Sequence, residues 1–365
     1  MVIDRYVVRE ILKPFILIWA VLTILITSYG AARFLSDAVG GLLPMGMFVR
    51  LVGLRTVIAF DVLIPIALYL SVVMALGRMH ADSEIAGMFA LGYRPARLAG
   101  MVMILSSCIA LGVGGLSLFL RPLAYQRSHE LSDLAAASFD TSHMRAGTFY
   151  VDHSTSRTIF IGRRAKPGAP GLDVFVRLSI PGGTRVIAAR SVQQAPAAPH
   201  AGSEIHLTDA HVYDIRYSGT GRDLVMNVQH LVLNLGTPQV RAPQYSSVAA
   251  SSRHLAASRS PADIAELEWR LSTPVSTVLL GMLGVLLSRS HPRAKRHARL
   301  GIAILAYAGY YLAYESARTW VERGVIAPFP GTWLAPGALA IVVLAAFFGP
   351  WLHSKHRAAR SASRP

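Results

Sequence analysis

The side chains that could carry out chemistry are few, and their spacing fits no catalytic or metal-binding arrangement. The 365 residues contain no G-x-x-x-x-G-K-[ST] loop for phosphate, no H-E-x-x-H zinc motif and no G-x-S-x-G nucleophile motif. Cys108 is the only cysteine, and His200, His206 and His211 are scattered without the spacing of metal ligands. We therefore expect no catalytic residue, no metal and no cofactor in this chain.

One short segment does combine an acidic side chain with an apolar surface. The sequence HADSEIAGMFALG, residues 80–92, lies between two of the most apolar stretches of the chain. Asp82 and Ser83 are residue types that cap helix N-termini, and Gly92 followed by Pro95 is a typical helix stop. The pattern predicts a helix of about three turns over this segment.

The predicted helix has one apolar face with an acid at its edge. Ile85, Met88 and Phe89 follow the i, i+3, i+4 spacing of a single face, and Glu84 lies beside them. Such a face needs a cover, which is either the lipid headgroups or a protein partner. A transporter that depends on a separate ATPase docks a helix of this kind on the nucleotide-binding subunit, and a chain without a phosphate-binding loop fits that division of labour.

The composition is that of a membrane protein. Hydrophobic residues make up 53% of the chain and charged residues 15%, against about a quarter charged in soluble proteins. Nearly uncharged windows long enough to cross a bilayer occupy residues 14–32, 56–77, 98–120, 271–288 and 332–352. Residues 300–314 form a sixth window only if it continues through Glu315 and Arg318 to residue 321. The sequence thus predicts an α-helical polytopic protein with six transmembrane helices.

Two alternatives concern these windows. The first could be a signal peptide instead, because Arg5, Arg9 and Lys13 precede it and SYGAA resembles a cleavage site. Asp61 and Glu315 are acids within the spans, which is weak support for an intramembrane enzyme.

The distribution of basic residues predicts the orientation. The N-terminal tail, the 78–97 loop, the 289–299 loop and the C-terminal tail carry fifteen Lys and Arg residues, whereas the opposite short loops carry five. By the positive-inside rule both termini are cytoplasmic. The net charge of +16 has the same origin, and the dispersed basic residues form no recognition motif, so we expect no nucleic-acid partner.

The region between the third and fourth windows changes to a strand pattern. In DVFVRLSI the side chains of Val174, Val176, Leu178 and Ile180 lie on one face, and turn-rich pieces separate further alternating runs. We predict an all-β domain over residues 140–250, as a sandwich, jellyroll or open barrel, outside the cytoplasm. Such a domain either packs inertly between membrane segments or shelters an acyl chain in its apolar interior.

Several motifs together resemble the lipopolysaccharide-export permease family. They are IDRYVVRE at the N-terminus, PIALYLSVVMALGRMHADSEIAGMFALG through the second span and its loop, and ELEWRLSTPVS entering the fourth span. The S-E-I-x-x-M-x-A-x-G pattern is distinctive, and the plan of three spans, a β domain and three spans also agrees. The resemblance is closer to the F-type than to the G-type members, and the β domain matches in plan only.

This resemblance implies a domain organisation. Residues 1–122 would form an N-terminal transmembrane region with three helices and a cytoplasmic coupling helix at 80–92. Residues 123–265 would form a periplasmic jellyroll-like domain with a connecting helix, and residues 266–365 three further transmembrane helices with a basic cytoplasmic tail. The implied location is the inner membrane of a Gram-negative bacterium.

The resemblance also implies a function with several partners. Two permeases of this family form a heterodimer on a dimeric cytoplasmic ATPase, which binds the ATP, and take lipopolysaccharide from the inner membrane. The lipid then passes to a membrane-anchored periplasmic jellyroll protein and a periplasmic bridge of similar jellyrolls. The competing hypothesis is a membrane-anchored scaffold or assembly factor whose β domain binds a protein partner, and that role needs no coupling helix.

Site residues follow from the resemblance by position. Glu84 would be the coupling-helix acid that faces a basic groove of the ATPase, with Ile85, Met88 and Phe89 completing the coupling surface. Arg33 would lie at the periplasmic end of the first span, near the phosphates of the lipid, although an arginine at this depth can simply reach the interface. Gly30 stands where a close relative would have another basic residue. The acyl chains would contact the strand face of Val174, Val176 and Leu178.

Overall fold

The computed structural model describes residues 2–39, 45–137, 146–152, 157–165, 169–180, 182–194, 204–216, 224–234, 245–289 and 296–347. The chain divides into two compact units. One unit combines Met1–Ser28, Leu54–Arg127 and Tyr245–Pro365, and the other combines Tyr29–Gly53 and Ser128–Gln244. The end of the sixth predicted span and the basic C-terminal tail lie outside the described residues.

The first unit is helical, and its helices run on into the second unit at three places. In chain order the helices are α1 (Val2–Val39), α2 (Met45–Ala81), α3 (Glu84–Ala90), α4 (Pro95–Gly115), α5 (Arg121–Ala137), α6 (Ser252–Ala257), α7 (Pro261–Ser288), α8 (Arg296–Glu322), α9 (Pro328–Gly331) and α10 (Leu334–Phe347).

Four helices among the described residues are long and apolar enough to cross a membrane. They span Val2–Ala32, Met45–Ala81, Pro95–Ser132 and Pro261–Ser288, and they contain the first four predicted windows. The helix α8 carries Glu315 and Arg318, and α10 is shorter than a full span in the part described. These four helices agree with the predicted polytopic membrane class, whereas the fifth and sixth spans stay predictions.

A π-helical turn, Leu116–Leu120, joins α4 to α5 without a break. Its cause is Pro122, which has no N–H to donate to the carbonyl of Leu118, four residues earlier. The Ser252 hydroxyl donates to that carbonyl instead, at 2.7 Å. Ser252, which follows the β domain in the sequence, thus gives the Leu118 carbonyl the hydrogen bond that Pro122 cannot give.

Small residues on α7 allow the helices of this unit to approach closely. A Cβ atom on Gly281 would lie 2.1 Å from the Ser106 hydroxyl of α4, and one on Gly284 would lie 3.0 Å from Val72 of α2. Larger residues there would push α7 away from both neighbours. The packed interior that results contains apolar side chains of α2, α4, α7 and α8.

The second unit contains a six-stranded antiparallel sheet in which each strand pairs with the next along the chain. The strands are β1 (Thr148–Asp152), β2 (Arg157–Arg163), β3 (Gly171–Ile180), β4 (Gly183–Gln194), β5 (Glu204–Arg216) and β6 (Leu224–Asn234). All six lie within the predicted β region of residues 140–250. The order is a meander, whereas a jellyroll has Greek-key connections, so the jellyroll stays a prediction.

One face of the sheet is a closely packed apolar core. Ile159, Val176, Ile187 and Val212 lie directly opposite one another across β2 to β5, and all four are buried. Along β3 the alternation is the predicted one, because Val174 and Val176 are buried, Leu178 is half-buried and Arg177 is exposed. The β-strand prediction for this stretch is confirmed.

Candidate functional site

The helix predicted over residues 80–92 exists as α3, but it is shorter than the sequence predicts. His80 and Ala81 belong to the end of α2, so the new helix starts only at Glu84. Ser83 occupies the N-cap position with a left-handed backbone (φ 58°), and its side chain makes no capping hydrogen bond. The predicted capping by Ser83 is wrong, because the chain uses this residue to reverse direction between two helices.

The end of α3 matches the sequence prediction. Gly92 adopts a left-handed conformation with φ 86°, which glycine takes without a steric cost. Its N–H donates to the carbonyl of Phe89, and the N–H of Tyr93 donates to that of Met88, both at 3.0 Å. This pair of bonds is a Schellman cap, and it sets the direction in which the chain enters α4.

The apolar face of α3 is covered in large part by the chain itself. Ile85 is only 1% exposed, and it belongs to one apolar cluster with Val7 and Ile11 of α1. Met88 packs against the same cluster. Phe89 differs, since it is 36% exposed, and the neighbouring Leu91 is 84% exposed. A partner would therefore meet Phe89 and Leu91 rather than the whole predicted face.

Three polar side chains at the start of α1 contact the segment around α3. The Tyr6 hydroxyl donates to Glu84 Oε2 at 3.0 Å, and Arg78 at the end of α2 pairs with Glu10. Asp4 accepts hydrogen bonds from the Tyr93 hydroxyl and from Arg97, each at 2.8 Å. Burial, with a smaller contribution from the Asp4 carboxylate, raises the pKa of Tyr93 to about 12, so the phenol keeps its proton.

A second polar cluster lies buried in the first unit, among α2, α5, α7 and α8. Glu266 is fully buried, and it accepts from Arg121 at 2.6 Å, from Arg270 at 2.9 Å and from Arg318 at 3.0 Å. Asp61 accepts from the indole N–H of Trp269 at 2.9 Å. An isolated carboxylate buried in this way would be very unfavourable. The hydrogen bonds from the three arginines are what make the burial of Glu266 possible.

Arg270 extends this cluster to the segment that follows the β domain. It donates to the carbonyls of Val248 and Ala250 at 3.1 and 3.0 Å, and to the Ser252 hydroxyl at 3.0 Å. Two guanidinium groups also lie near the ring of Trp269, with Arg318 4.9 Å and Arg121 5.7 Å from its centre. The returning segment is thereby fixed to the first turns of α7.

Sequence reasoning did not identify this cluster. The motif ELEWRLS did place Glu266 and Arg270 four residues apart at the start of a span, and charges in that position commonly mark functional sites. Asp61 was recognised as an acid within a span, but its neighbours come from distant parts of the chain. Glu315, the other such acid, accepts instead from Tyr311 at 3.2 Å.

The residues expected to contact lipid lie in the second unit. Arg33 is part of α1, but its side chain lies outside the described residues. Val174, Val176 and Leu178 point to the packed face of the sheet. Within the described part of the chain, no group of three or more His, Cys, Asp or Glu side chains is placed to hold a metal ion.

Comparison with known proteins decides the family. The family model described as lipopolysaccharide export system permease LptF/LptG matches residues 5–348. The chain belongs to this permease family. The resemblance of the sequence motifs is therefore confirmed, and both α3 and the buried cluster fall within the matched region of this LptF/LptG chain.

Individual relatives agree with this assignment. The chain is 26% identical over 352 residues to the lipopolysaccharide export system permease protein LptF of Escherichia coli strain K12, and the match covers 94% of each chain. The protein of the same name from Shigella flexneri matches to the same extent. The F-type names agree with the closer resemblance that the sequence indicated, and the long apolar helices agree with an integral membrane permease.

Proposed function

We propose that this chain is the F-type permease subunit of an ABC transporter that extracts lipopolysaccharide from the inner membrane and passes it to a periplasmic bridge. The observation that carries the proposal is the family match over nearly the whole chain. The expected partners are an LptG-like permease, a dimeric LptB-like ATPase, a membrane-anchored LptC-like jellyroll protein and an LptA-like bridge. ATP is bound by the ATPase, and this chain has no catalytic residue of its own.

The coupling surface consists of the exposed part of α3. Glu84 Oε2 accepts from Tyr6, and within the described residues Oε1 has no hydrogen-bond partner. That oxygen is available to a cation in a groove of the ATPase, and a hydrogen bond between charged groups contributes about 1.5–3 kcal/mol when partly buried. Phe89 and Leu91 supply the adjacent apolar contact, while Ile85 and Met88 support the helix from behind.

The membrane topology has six spans, with α8 and α10 as the fifth and sixth. Both termini and α3 are then cytoplasmic, and the β domain is periplasmic. Asp61 lies twenty residues before the cytoplasmic end of α2, about 30 Å along the helix. The cluster of Asp61, Arg121 and Glu266 therefore holds the helices together near the outer side of the membrane.

The lipid path uses cations first and an apolar surface next. Arg33, at the outer end of α1, holds a phosphate of the lipid, as planar guanidinium groups do well. The face of Val174, Val176 and Leu178 then shelters acyl chains from water. Because these side chains are packed together in the sheet, an acyl chain has to separate them to enter.

Purification of the intact complex tests the proposal. The full chain, expressed with its genomic neighbours and isolated in mild detergent, should retain a P-loop ATPase in stoichiometric amount. Reconstituted in vesicles containing lipopolysaccharide, the complex should release that lipid only when ATP is hydrolysed. If the chain purifies without any ATPase, and lipopolysaccharide release does not depend on ATP, the results would instead favour the scaffold or assembly factor.

A further inference from the structure

The first three turns of α1 form an amphipathic segment whose polar edges face the loop that contains α3. Ile3, Val7 and Ile11 follow an i, i+4, i+8 stripe, and all three pack in the apolar cluster that includes Ile85. Residues on either side of this stripe make the polar contacts. Tyr6 and Glu10 lie on one side, and Asp4 lies on the other.

Each polar contact reaches a different part of the loop. Glu10 pairs with Arg78 at the end of α2, Tyr6 with Glu84 at the start of α3, and Asp4 with Arg97 in the first turn of α4. One segment of the chain thus braces the whole connection between α2 and α4. The first three turns of α1 pack against the loop that contains α3, whereas the rest of the α1 span has few buried side chains.

Tyr6 has the most specific of these positions. Its hydroxyl is the one hydrogen-bond partner of the Glu84 carboxylate within the described residues, at 3.0 Å. Glu84 is half-exposed and Ser83 before it makes no side-chain cap, and Arg78 interacts with Glu84 through charge without a hydrogen bond. The Tyr6 hydroxyl is therefore the contact that fixes the rotamer of Glu84. A glutamate side chain left free loses rotamer entropy when it binds, which weakens the contact that it makes.

We propose that residues 3–11 are part of the ATPase-coupling unit and that Tyr6 is the positioning residue for the Glu84 carboxylate. Tyr6 holds Oε2, so that Oε1 is directed to the cation of the ATPase before the two proteins meet. The inference rests on the proposed coupling role of Glu84, and it adds a second element of the chain to that role.

A double-mutant cycle in the assembled complex tests this inference. The full chain, with its partner permease, carries Tyr6→Phe, Glu84→Gln or both, and the dissociation constant of the ATPase is measured in detergent. Tyr6→Phe keeps the ring and removes only the hydroxyl, so we expect a loss of affinity of about threefold to tenfold. In the Glu84→Gln background the same change should have an effect under about twofold, because the charged acceptor is gone.

The matched control is Tyr93→Phe, because Tyr93 donates to Asp4 rather than to Glu84. Its effect should be the same with and without Glu84→Gln. The amount of lipopolysaccharide released per ATP hydrolysed is the second measurement, and it should fall for Tyr6→Phe while the unfolding temperature stays unchanged.

The possible results separate the two levels of the proposal. Equal effects of Tyr6→Phe in both backgrounds, or no effect at all, would overturn the positioning role and leave the coupling role of Glu84 intact. An unchanged ATPase affinity for Glu84→Gln alone would overturn the coupling role, and the inference about Tyr6 with it.

Discussion

Arg121 and Glu266, which are 145 residues apart in the sequence, form a buried ion pair with 2.6 Å between Nη1 and Oε1. Arg270 and Arg318 contact the same carboxylate. This single acid therefore connects three arginines from α5, α7 and α8, on both sides of the β domain in the sequence. The two groups of membrane helices are held to each other by charge as well as by apolar packing.

Replacement of that acid should destabilise the protein strongly. Glu266→Gln removes the ion-pair partner of the buried Arg270, while Arg121 keeps Asp61 at 3.6 Å and Arg318 keeps Glu322 at 2.8 Å. Loss of one partner from a buried pair typically costs about 3–5 kcal/mol. We expect a large fall in the unfolding temperature of the detergent-solubilised chain. The control is Glu268→Gln, which is half-buried and changes one hydrogen bond with Thr332, at a cost of about 1 kcal/mol. Equal stability of the two variants would contradict the importance of the cluster.

The orientation predicts opposite accessibility for two exposed positions. Asp82→Cys, between α2 and α3, and His206→Cys, on β5, are each made in a Cys108→Ser background. An impermeant thiol reagent should label His206→Cys in cells whose outer membrane is permeabilised, and Asp82→Cys only after the inner membrane is broken. Labelling of both from one side would be incompatible with a cytoplasmic α3 and a periplasmic β domain.

An ion pair makes the stability of the sheet depend on pH. Arg185 on β4 donates to both oxygens of Asp214 on β5, at 2.6 and 2.7 Å, and this lowers the pKa of the Asp214 carboxyl. Because the folded pKa is the lower one, the stabilisation is present above the unfolded pKa, near 4, and is lost as the pH falls through the folded pKa. Arg185 is partly exposed, so the effect is about 1 kcal/mol.

Hydrogen exchange of the full chain measures this effect. Amides of β4 and β5 should lose protection at acidic pH, below about pH 4, compared with pH 7. Asp214→Asn should lose protection already at pH 7, and its remaining protection should change less with pH. An Asp214→Asn protein whose strands respond to acid as strongly as the parent would assign the pH dependence to other groups.

The buried face of β3 should contact the transported lipid. A photo-crosslinking residue at Val176 should capture lipopolysaccharide, and capture should require ATP hydrolysis by the partner. The same residue at Arg177, which is exposed on the opposite face, is the control and should give little product. Equal capture at both positions, or capture without ATP, would indicate that the sheet has only a structural role and does not contact the lipid during transport.

The sequence predicts those features that depend on neighbouring residues. Hydropathy identifies the four long apolar helices, alternation identifies the face of Val174 and Val176, and Gly92 marks the end of α3. Each of these follows from residues a few positions apart, and the family motifs lie in the same short stretches.

Contacts between distant residues are what the sequence could not predict. The apolar face of α3 looked uncovered because Val7 and Ile11, which pack beside Ile85, lie more than seventy residues earlier. The start of α3 was misplaced for a related reason, since packing extends α2 to Ala81 and makes Ser83 a reversal rather than a cap. Arg270 is the one local partner of Glu266, four residues along the same helix, whereas Arg121 and Arg318 come from other helices and no local pattern brings them to this acid.

The coupling role of Glu84 is the central claim, and one measurement tests it directly. Complexes that carry Glu84→Lys are compared in vesicles with complexes that carry Asp82→Lys, for lipopolysaccharide released per ATP hydrolysed. Both changes add the same charge to the same loop, and the Asp82 side chain is exposed two residues before Glu84. We predict that Glu84→Lys abolishes release or uncouples it from hydrolysis, because a lysine would repel the basic groove that we propose on the ATPase, whereas Asp82→Lys keeps most of the coupling. Full transport by the Glu84→Lys complex would contradict the account.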